Sequence, residues 1–303
     1  MAAKIVVIGS FNADLTSYMA RMPKPGETVH GDRFLTGAGG KGSNQAVAAA
    51  RLGAEVSFIG LVGNDVFAEL AYEIWDAEGV NRDFVSRDAE HATGVAPILV
   101  DSSGENMIVV VLGANLRHQP ADIDAARERI AAADVLIAQL EINLDMVAYA
   151  LETAKELGGT TILNPAPAAA LPARTLQLAD YLTPNETELE TLSGSGEDVE
   201  AAARRLLTRA DQTAVVTLGA QGAQIVTGAG SSKVPTYEVV VVETTGAGDA
   251  FNAGLAVALA EGMALKTAVH FANAAAALSV TKPGAAPSTP YRSEVDALLG
   301  GSR

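Results

Sequence analysis

The chemistry of this chain centres on Gly246-Ala247-Gly248-Asp249. These residues follow a β-branched run at 239–242 and lead into an apolar stretch at 250–259, which predicts a strand, a tight turn and a buried helix. Glycines on either side of Ala247 let successive backbone N–H groups converge. The first helical turn adds unpaired donors at the positive end of its dipole. Such a turn suits a phosphate or a developing anion. A carboxylate repels a phosphate beside it, so Asp249 needs a purpose there, and taking the proton from an attacking hydroxyl is one that fits. Asp at a helix start is also an ordinary cap worth about 0.5–2 kcal/mol, and these residues alone leave both readings open.

Three more groups could act beside it. Gly37-Ala38-Gly39-Gly40-Lys41-Gly42-Ser43-Asn44-Gln45 precedes a predicted helix over 46–52 that Gly53 ends. It contains Gly-x-Gly-x-x-Gly, yet it does not directly follow the first strand as a dinucleotide fingerprint must, which disfavours a nicotinamide-dependent oxidoreductase. It is not a P-loop either, because Gly42 stands where Ser or Thr must follow the lysine. What remains is backbone donors with Lys41 and Asn44, a surface for hydroxyl groups or else a tight helix–strand contact made by glycines. Asn12 and Asp14 alternate after the first strand, so they share a side and could clamp a diol or simply shape a turn. Asn185 and Glu188 lie three apart at a predicted helix start, either as a capping pair or as groups that orient a metal-bound water near phosphates.

Positioning these residues requires a large core, and 303 residues with 49% hydrophobic content supply it. Runs at 4–9, 56–60, 135–140, 160–164, 181–183, 214–218 and 239–242 read as strands separated by helices. Several are almost continuously apolar, as strands buried on both faces must be. The expected fold is therefore α/β: a doubly wound, mostly parallel sheet with helices on both faces, as one domain over residues 1–303. Polar groups follow the strands, including Glu141, Asn164, Asn185 and the Gly246 turn, and ligands bind outside the carboxyl ends of such sheets. Segments at approximately 15–36 and 93–113 break the alternation and predict a small β-sheet lid. The apolar face of so thin a sheet needs a cover, either the substrate crevice or a second subunit, so a lid that also dimerises is expected.

Composition removes other classes. A formal net charge of −15 opposes nucleic-acid phosphates, and the apolar stretches are too short and interrupted to span a membrane. Zero cysteines exclude disulfides, thiol nucleophiles and thiolate metal sites, and the four histidines show no metal-ligand spacing. Residues 1–9 carry no basic region or cleavage site, which reads as the first strand of a cytoplasmic enzyme.

Taken together, the motifs resemble the ribokinase-type carbohydrate kinases over nearly the whole chain. The resemblance rests on Asn12-Ala13-Asp14, Pro25-Gly26-Glu27-Thr28, Gly39-Gly40-Lys41-Gly42-Ser43-Asn44-Gln45-Ala46, Asn164-Pro165-Ala166-Pro167, Thr183-Pro184-Asn185-Glu186-Thr187-Glu188, Thr217-Leu218-Gly219 and residues 244–254. It implies phosphoryl transfer from ATP to the terminal hydroxyl of D-ribose. In that scheme Asp249 is the base, and Gly246, Ala247 and Gly248 form the anion hole. Asn12, Ala13, Asp14, Gly40, Lys41, Gly42, Ser43, Asn44 and Glu141 would meet the sugar. Asn185, Thr217, Leu218, Gly219, Ala220, Gln221, Gly222, Gly248 and Asn273 would line the nucleotide site. Glu188 would hold Mg²⁺ through water, and Glu243, Thr245, Ser279, Lys282, Gly284 and Ser288 would surround K⁺ or a similar monovalent ion. The family usually has Asp where this chain has Glu243. Relatives that act on deoxyribose, fructose or nucleosides share the ATP-side motifs, and a non-catalytic sugar-binding relative is the reading that an intact Asp249 opposes.

Overall fold

The computed structural model describes residues 2–301 except Ser195 and Glu197, so both ends of the expected 1–303 domain lie outside the described residues. Its strands are β1 (Lys4–Ile8), β2 (Asn12–Met19), β3 (Gly31–Gly39), β4 (Glu55–Val62), β5 (Asn81–Arg87), β6 (Gly94–Val100) and β7 (Asn106–Ile108). They continue with β8 (Val135–Ala138), β9 (Thr160–Leu163), β10 (Tyr181–Leu182), β11 (Thr213–Thr217), β12 (Ala223–Thr227) and β13 (Gly230–Val234). The α-helices are α1 (Lys41–Arg51), α2 (Val66–Ala77), α3 (Pro120–Ala125), α4 (Arg127–Ala132), α5 (Leu144–Glu156) and α6 (Ala173–Leu178). Beyond them come α7 (Glu186–Ser193), α8 (Val199–Leu206), α9 (Ala247–Ala260), α10 (Leu265–Ser279) and α11 (Arg292–Gly301).

Nine strands form one sheet in the order β13-β12-β11-β10-β9-β8-β1-β4-β5, parallel from β11 to β5 and antiparallel at the β11–β12 and β12–β13 pairs. Period-2 alternation inside the apolar strands divides the core in two. Ile5, Val7, Val56, Phe58 and Ile137 pack with α1, α2, α9 and α10, while Val6, Ile8, Ile59, Leu136 and Val216 pack with α3 to α8. Helices therefore cover both faces, as the sequence predicts.

The lid is a separate sheet of order β3-β2-β6-β7, with β2–β6 parallel and its other pairs antiparallel. It begins at Asn12, earlier than expected, because only Gly9, Ser10 and Phe11 separate β1 from β2. Phe34, Leu35, Met107, Ile108, Val109, Val110 and Val111 of the lid region are exposed.

One expected strand is absent. Residues 239–242 lie outside the sheets, and Val240 is 83% exposed. The physical reason is that β12 and β13 already occupy the edge beyond β11, so this run leaves the sheet and is held by the Val242 and Glu243 N–H groups, both donating to Val280 O. Among the described residues, no helix is long and apolar enough to cross a membrane.

The start of α1 is tied to α2 through Trp75, whose indole N–H donates to Ser43 Oγ at 3.0 Å inside a cluster with Phe11, Phe58 and Tyr72. Ser43→Ala leaves that buried donor without an acceptor and is predicted to cost about 1–3 kcal/mol. The chain has one tryptophan, so urea unfolding followed by its fluorescence reads the loss directly; an unchanged midpoint would show that the bond contributes nothing.

Candidate functional site

The polar residues that follow β1, β8, β9, β10 and β11 meet the first turns of α1 and α9 at one edge of the sheet. The meeting point is Asp249, which is 5% exposed. Its Oδ2 accepts from Asn44 Nδ2 at 2.9 Å and its Oδ1 from Gln45 Nε2 at 3.0 Å. Burial raises its pKa above the ordinary carboxylate value, although the Lys41 ammonium and the two amides favour the charged form.

The turn before it depends on glycine. Gly246 caps α9 at φ 79°, a left-handed conformation, and a Cβ there would stand 3.0 Å from Ala285 Cα. The Ala247 N–H donates to Thr244 O at 3.2 Å, so one of the three expected anion-hole donors is engaged within the turn itself. Gly42 brings α1 against the end of β1, where a Cβ would lie 2.6 Å from Gly9 Cα. That contact sets Lys41 and Asn44 beside Asp249. The side chain of Ser43, expected to meet the sugar, is fully buried on Trp75, and its N–H donates to Ser10 O at 2.9 Å, so both groups are engaged within the fold.

Among the residues expected to meet the sugar, Glu141 Oε2 accepts from the Lys41 N–H at 3.0 Å, from Asn12 Nδ2 at 3.4 Å and from Ser10 Oγ. Asn12 and Asp14 lie on β2, which settles their alternation as strand geometry rather than a turn. Burial raises the Asp14 carboxyl to about 7, with Glu141 and Glu243 adding to the effect. Burial disfavours the charge on Lys41, but Asp249, Glu141 and Glu188 outweigh it and raise its pKa.

A cavity of about 920 Å³ opens on the other side of the turn. Asn185, Thr217, Gly219, Ala220, Gln221 and Gly222 line it, as do Gly248 and Asn273. Leu218 is the expected member that it lacks, because that side chain packs in the core with Val216. Val239 and Val241 face this cavity, which accounts for their apolar character without a sheet. Asn185 and Glu188 form a reciprocal cap: Glu188 N–H donates to Asn185 Oδ1 at 2.8 Å, and Asn185 N–H donates to Glu188 Oε2 at 2.9 Å. Burial raises the Glu188 pKa.

The residues expected around a monovalent ion lie on two adjoining segments. Glu243 accepts from the Gly284 N–H at 2.9 Å and so joins them. Ser279 and Ser288 donate to Ala276 O and Ala285 O, each at 2.8 Å, and the Lys282 ammonium turns away to Glu294 at 2.7 Å. Thr245 is exposed. Among the described residues no group of three His, Cys, Asp or Glu could hold a metal. The local donors are hydroxyls, carbonyls and one carboxylate, a hard oxygen set that fits an alkali cation. For Mg²⁺, Glu188 is one preoriented carboxylate, which fits contact through water beside phosphates.

Sequence reasoning missed Gln45, Asn115 and Asn252. Asn115 donates to Asn12 Oδ1 and Phe11 O and accepts from the Phe11 N–H, which fixes the start of β2. Asn252 Nδ2 donates to Gly248 O at 2.8 Å and braces the turn. The available signal was a buried-type amide among small apolar neighbours, which demands a partner.

The Asp14 pKa carries a stability prediction. Its folded value lies above its ordinary 3.8, so the folded state holds the extra proton and stability from this group declines as pH rises from about 4 to about 7. Asp14→Asn is expected to remove a slope of up to about 1.4 kcal/mol per pH unit in that window. Denaturant midpoints across the window check it, and parallel curves for the two proteins would refute the raised value.

Comparison with known proteins accords with this geometry. Residues 2–292 match the family model described as pfkB family carbohydrate kinase. The chain is 39% identical over 298 residues to the ribokinase of Haemophilus influenzae, covering 97% of each chain. It is also 39% identical over 295 residues to the deoxyribokinase of Salmonella typhi, covering 94% of this chain and 95% of that one. The structure of Arabidopsis thaliana ribokinase complexed with ribose and ATP superposes with a TM-score of 0.91 at 34% identity, covering 99% of both chains. This chain, with its nine-stranded sheet, its four-stranded lid and Asp249 at the head of α9, belongs to the pfkB family of carbohydrate kinases.

Proposed function

We propose that this protein transfers the terminal phosphoryl group of ATP to the terminal hydroxyl of D-ribose, giving D-ribose 5-phosphate. The observation that carries the proposal is the position of Asp249: its buried carboxylate accepts from Asn44 and Gln45, feels the charges of Lys41 and Glu141, and directly follows Gly248, which lines the cavity. In this reading Asn12, Asp14, Lys41, Asn44 and Glu141 hold the hydroxyl groups, and the cavity holds the nucleotide. Asp249 accepts the proton of the attacking hydroxyl, while the Gly246 turn and the Lys41 ammonium meet charge that develops on the transferred group. Mg²⁺ bound with the nucleotide would offset phosphate charge, held through water by Glu188. A K⁺-like ion would be held by Glu243, Thr245, Ser279, Gly284 and Ser288 and the carbonyl of Lys282, steadying the turn. The chain functions as one domain with the lid inserted in it, and the exposed apolar lid residues pair with a second copy in a homodimer.

Identity alone does not separate ribose from 2-deoxyribose, since the ribokinase and deoxyribokinase relatives are equally similar. The density of hydroxyl-directed groups favours ribose. A site built to bond each hydroxyl leaves its own polar groups unpaired when one is missing, at about 1–3 kcal/mol each.

The test is Mg-ATP-dependent ADP release against pentoses, hexoses and nucleosides. D-ribose is expected to exceed 2-deoxyribose in kcat/KM by roughly 10-fold or more. Equal or reversed preference would make the protein a deoxyribokinase. Asp249→Asn is expected to retain sugar and nucleotide binding by calorimetry and to lose about 10²–10⁴-fold in kcat. Turnover near that of the wild type would remove Asp249 from the role of base.

A further inference from the structure

Gln45 belongs to a buried ring of hydrogen bonds that the reaction as described does not use. Its Nε2 donates both to Asp249 Oδ1 at 3.0 Å and to Asn164 Oδ1 at 3.1 Å, and its Oε1 accepts from Gln139 Nε2 at 2.5 Å. From Asn164 the ring runs through Nδ2 to Thr183 O at 3.1 Å. Thr183 Oγ1 donates to Asn252 Oδ1 at 2.6 Å, and Asn252 Nδ2 donates to Gly248 O at 2.8 Å. Gly248 is joined covalently to Asp249, so the ring leaves the carboxylate and returns to the peptide that bears it. Every side chain in the ring is buried, Gln45 and Gln139 fully so, while Gly248 is exposed.

The chemistry of the amide fixes the direction of these bonds. A glutamine has two donating N–H groups and one accepting oxygen, and here all of them are engaged. Flipping the Gln45 amide would set its oxygen against two acceptors. Asn44 holds the other oxygen of Asp249, so rotation of the carboxylate would break a bond at each end. Gln45 reaches inward to the residue after β8 through Gln139 and to the residue after β9 through Asn164.

We propose that Gln45 is a positioning residue. It holds the Asp249 carboxylate at one rotation and in register with the Gly248 peptide, so that base and anion-binding turn meet the substrate in a single geometry. The inference rests on the reading of Asp249 as the base. A mere packing role for the ring predicts lost stability alone, whereas positioning predicts a change in the chemical step. Other charged groups that face Asp249 are Lys41 from α1, Glu141 from the segment after β8 and Glu188 from α7. Substitution of Gln45 leaves all three in place.

The full-length protein is assayed as wild type, Gln45→Met, Gln45→Glu and Asp249→Asn, with pH profiles, sugar KM and thermal unfolding. Gln45→Met keeps length and removes both donors. It is expected to lower kcat roughly 10- to 100-fold, since small displacements of a reacting group cost that much. Sugar KM should stay within about twofold. The acid limb of kcat/KM should move to higher pH, because the lost N–H had favoured the charged carboxylate. Gln45→Glu retains an acceptor for Gln139, adds a like charge beside Asp249 and should move the limb further. A Gln45→Met enzyme that loses stability but keeps kcat and the acid limb would overturn the proposal, while an inactive Asp249→Asn enzyme in the same assays would leave the kinase reading standing. Wild-type turnover by Asp249→Asn would overturn both. If Gln45→Met does not fold, Gln45→Glu decides on the same readouts, and an unmoved limb with intact kcat refutes the positioning role.

Discussion

Burying the Asp249 carboxylate is the constraint on which the rest of this structure depends. An ionised group at that depth costs several kcal/mol unless hydrogen bonds and an opposite charge replace its water. The partners come from α1: Asn44 and Gln45 donate one bond to each oxygen, and Lys41 supplies the charge. The first turns of α1 and α9 must therefore meet, and both helices must lie on the same face of the sheet with their N-termini at its carboxyl edge. Two positive dipole ends then converge where a phosphoryl group would be transferred. The close approach of Gly42 to Gly9 follows from the same requirement, since a side chain there would push α1 away from the end of β1 and take its amides out of reach.

The lid inherits its position from that arrangement. Three residues separate β1 from β2, so Asn12 and Asp14 are carried by the lid, while Glu141 follows β8 of the large sheet and Asp249 lies on α9. A sugar held by both sets would link the two sheets through its hydroxyl groups. Asn115 makes the joint definite: it reaches from the segment after β7 to the backbone of Phe11 and the side chain of Asn12. The lid is therefore fixed at its root, at Phe11 and Asn12, and exposes its apolar residues further out.

Sequence made the large sheet legible because strands buried on both faces are written as continuous apolar runs, and β1, β8 and β9 leave little alternative. The lid was legible for the opposite reason, as interruptions in the alternation of strand and helix. The hairpin β12–β13 was not, because its second strand, Gly230–Val234, is largely exposed and polar, as an edge strand is. Its absence from the reading led to the misplaced strand at 239–242, where valines face a cavity instead of a sheet neighbour. In the site, residues at strand ends and glycine turns were legible because their types are poor choices for packing. Gln45 and Asn252 were not, since Asp249 for the first and Thr183 for the second lie more than sixty residues away, a separation that single-residue types do not encode.

The field inside the site orders what can enter it. Asp249, Glu141 and Glu188 act on Lys41 and raise its pKa, while burial, Glu141 and Glu243 raise that of Asp14. The whole chain is acidic as well, with a formal charge of −15. A neutral polyol brings no charge into this field and offers donors to carboxylates that have lost water, so its binding meets little electrostatic opposition. A nucleotide polyphosphate meets repulsion from the same carboxylates and needs the α9 N-terminus, Lys41 and a divalent ion to offset it. Preference for a neutral acceptor and need of a cation beside the polyphosphate would thus be two consequences of one charge distribution. Burial holds the Asp249 pKa above the ordinary carboxylate value against the pull of the Lys41 ammonium, and the amides of α1 bond one to each of its oxygens.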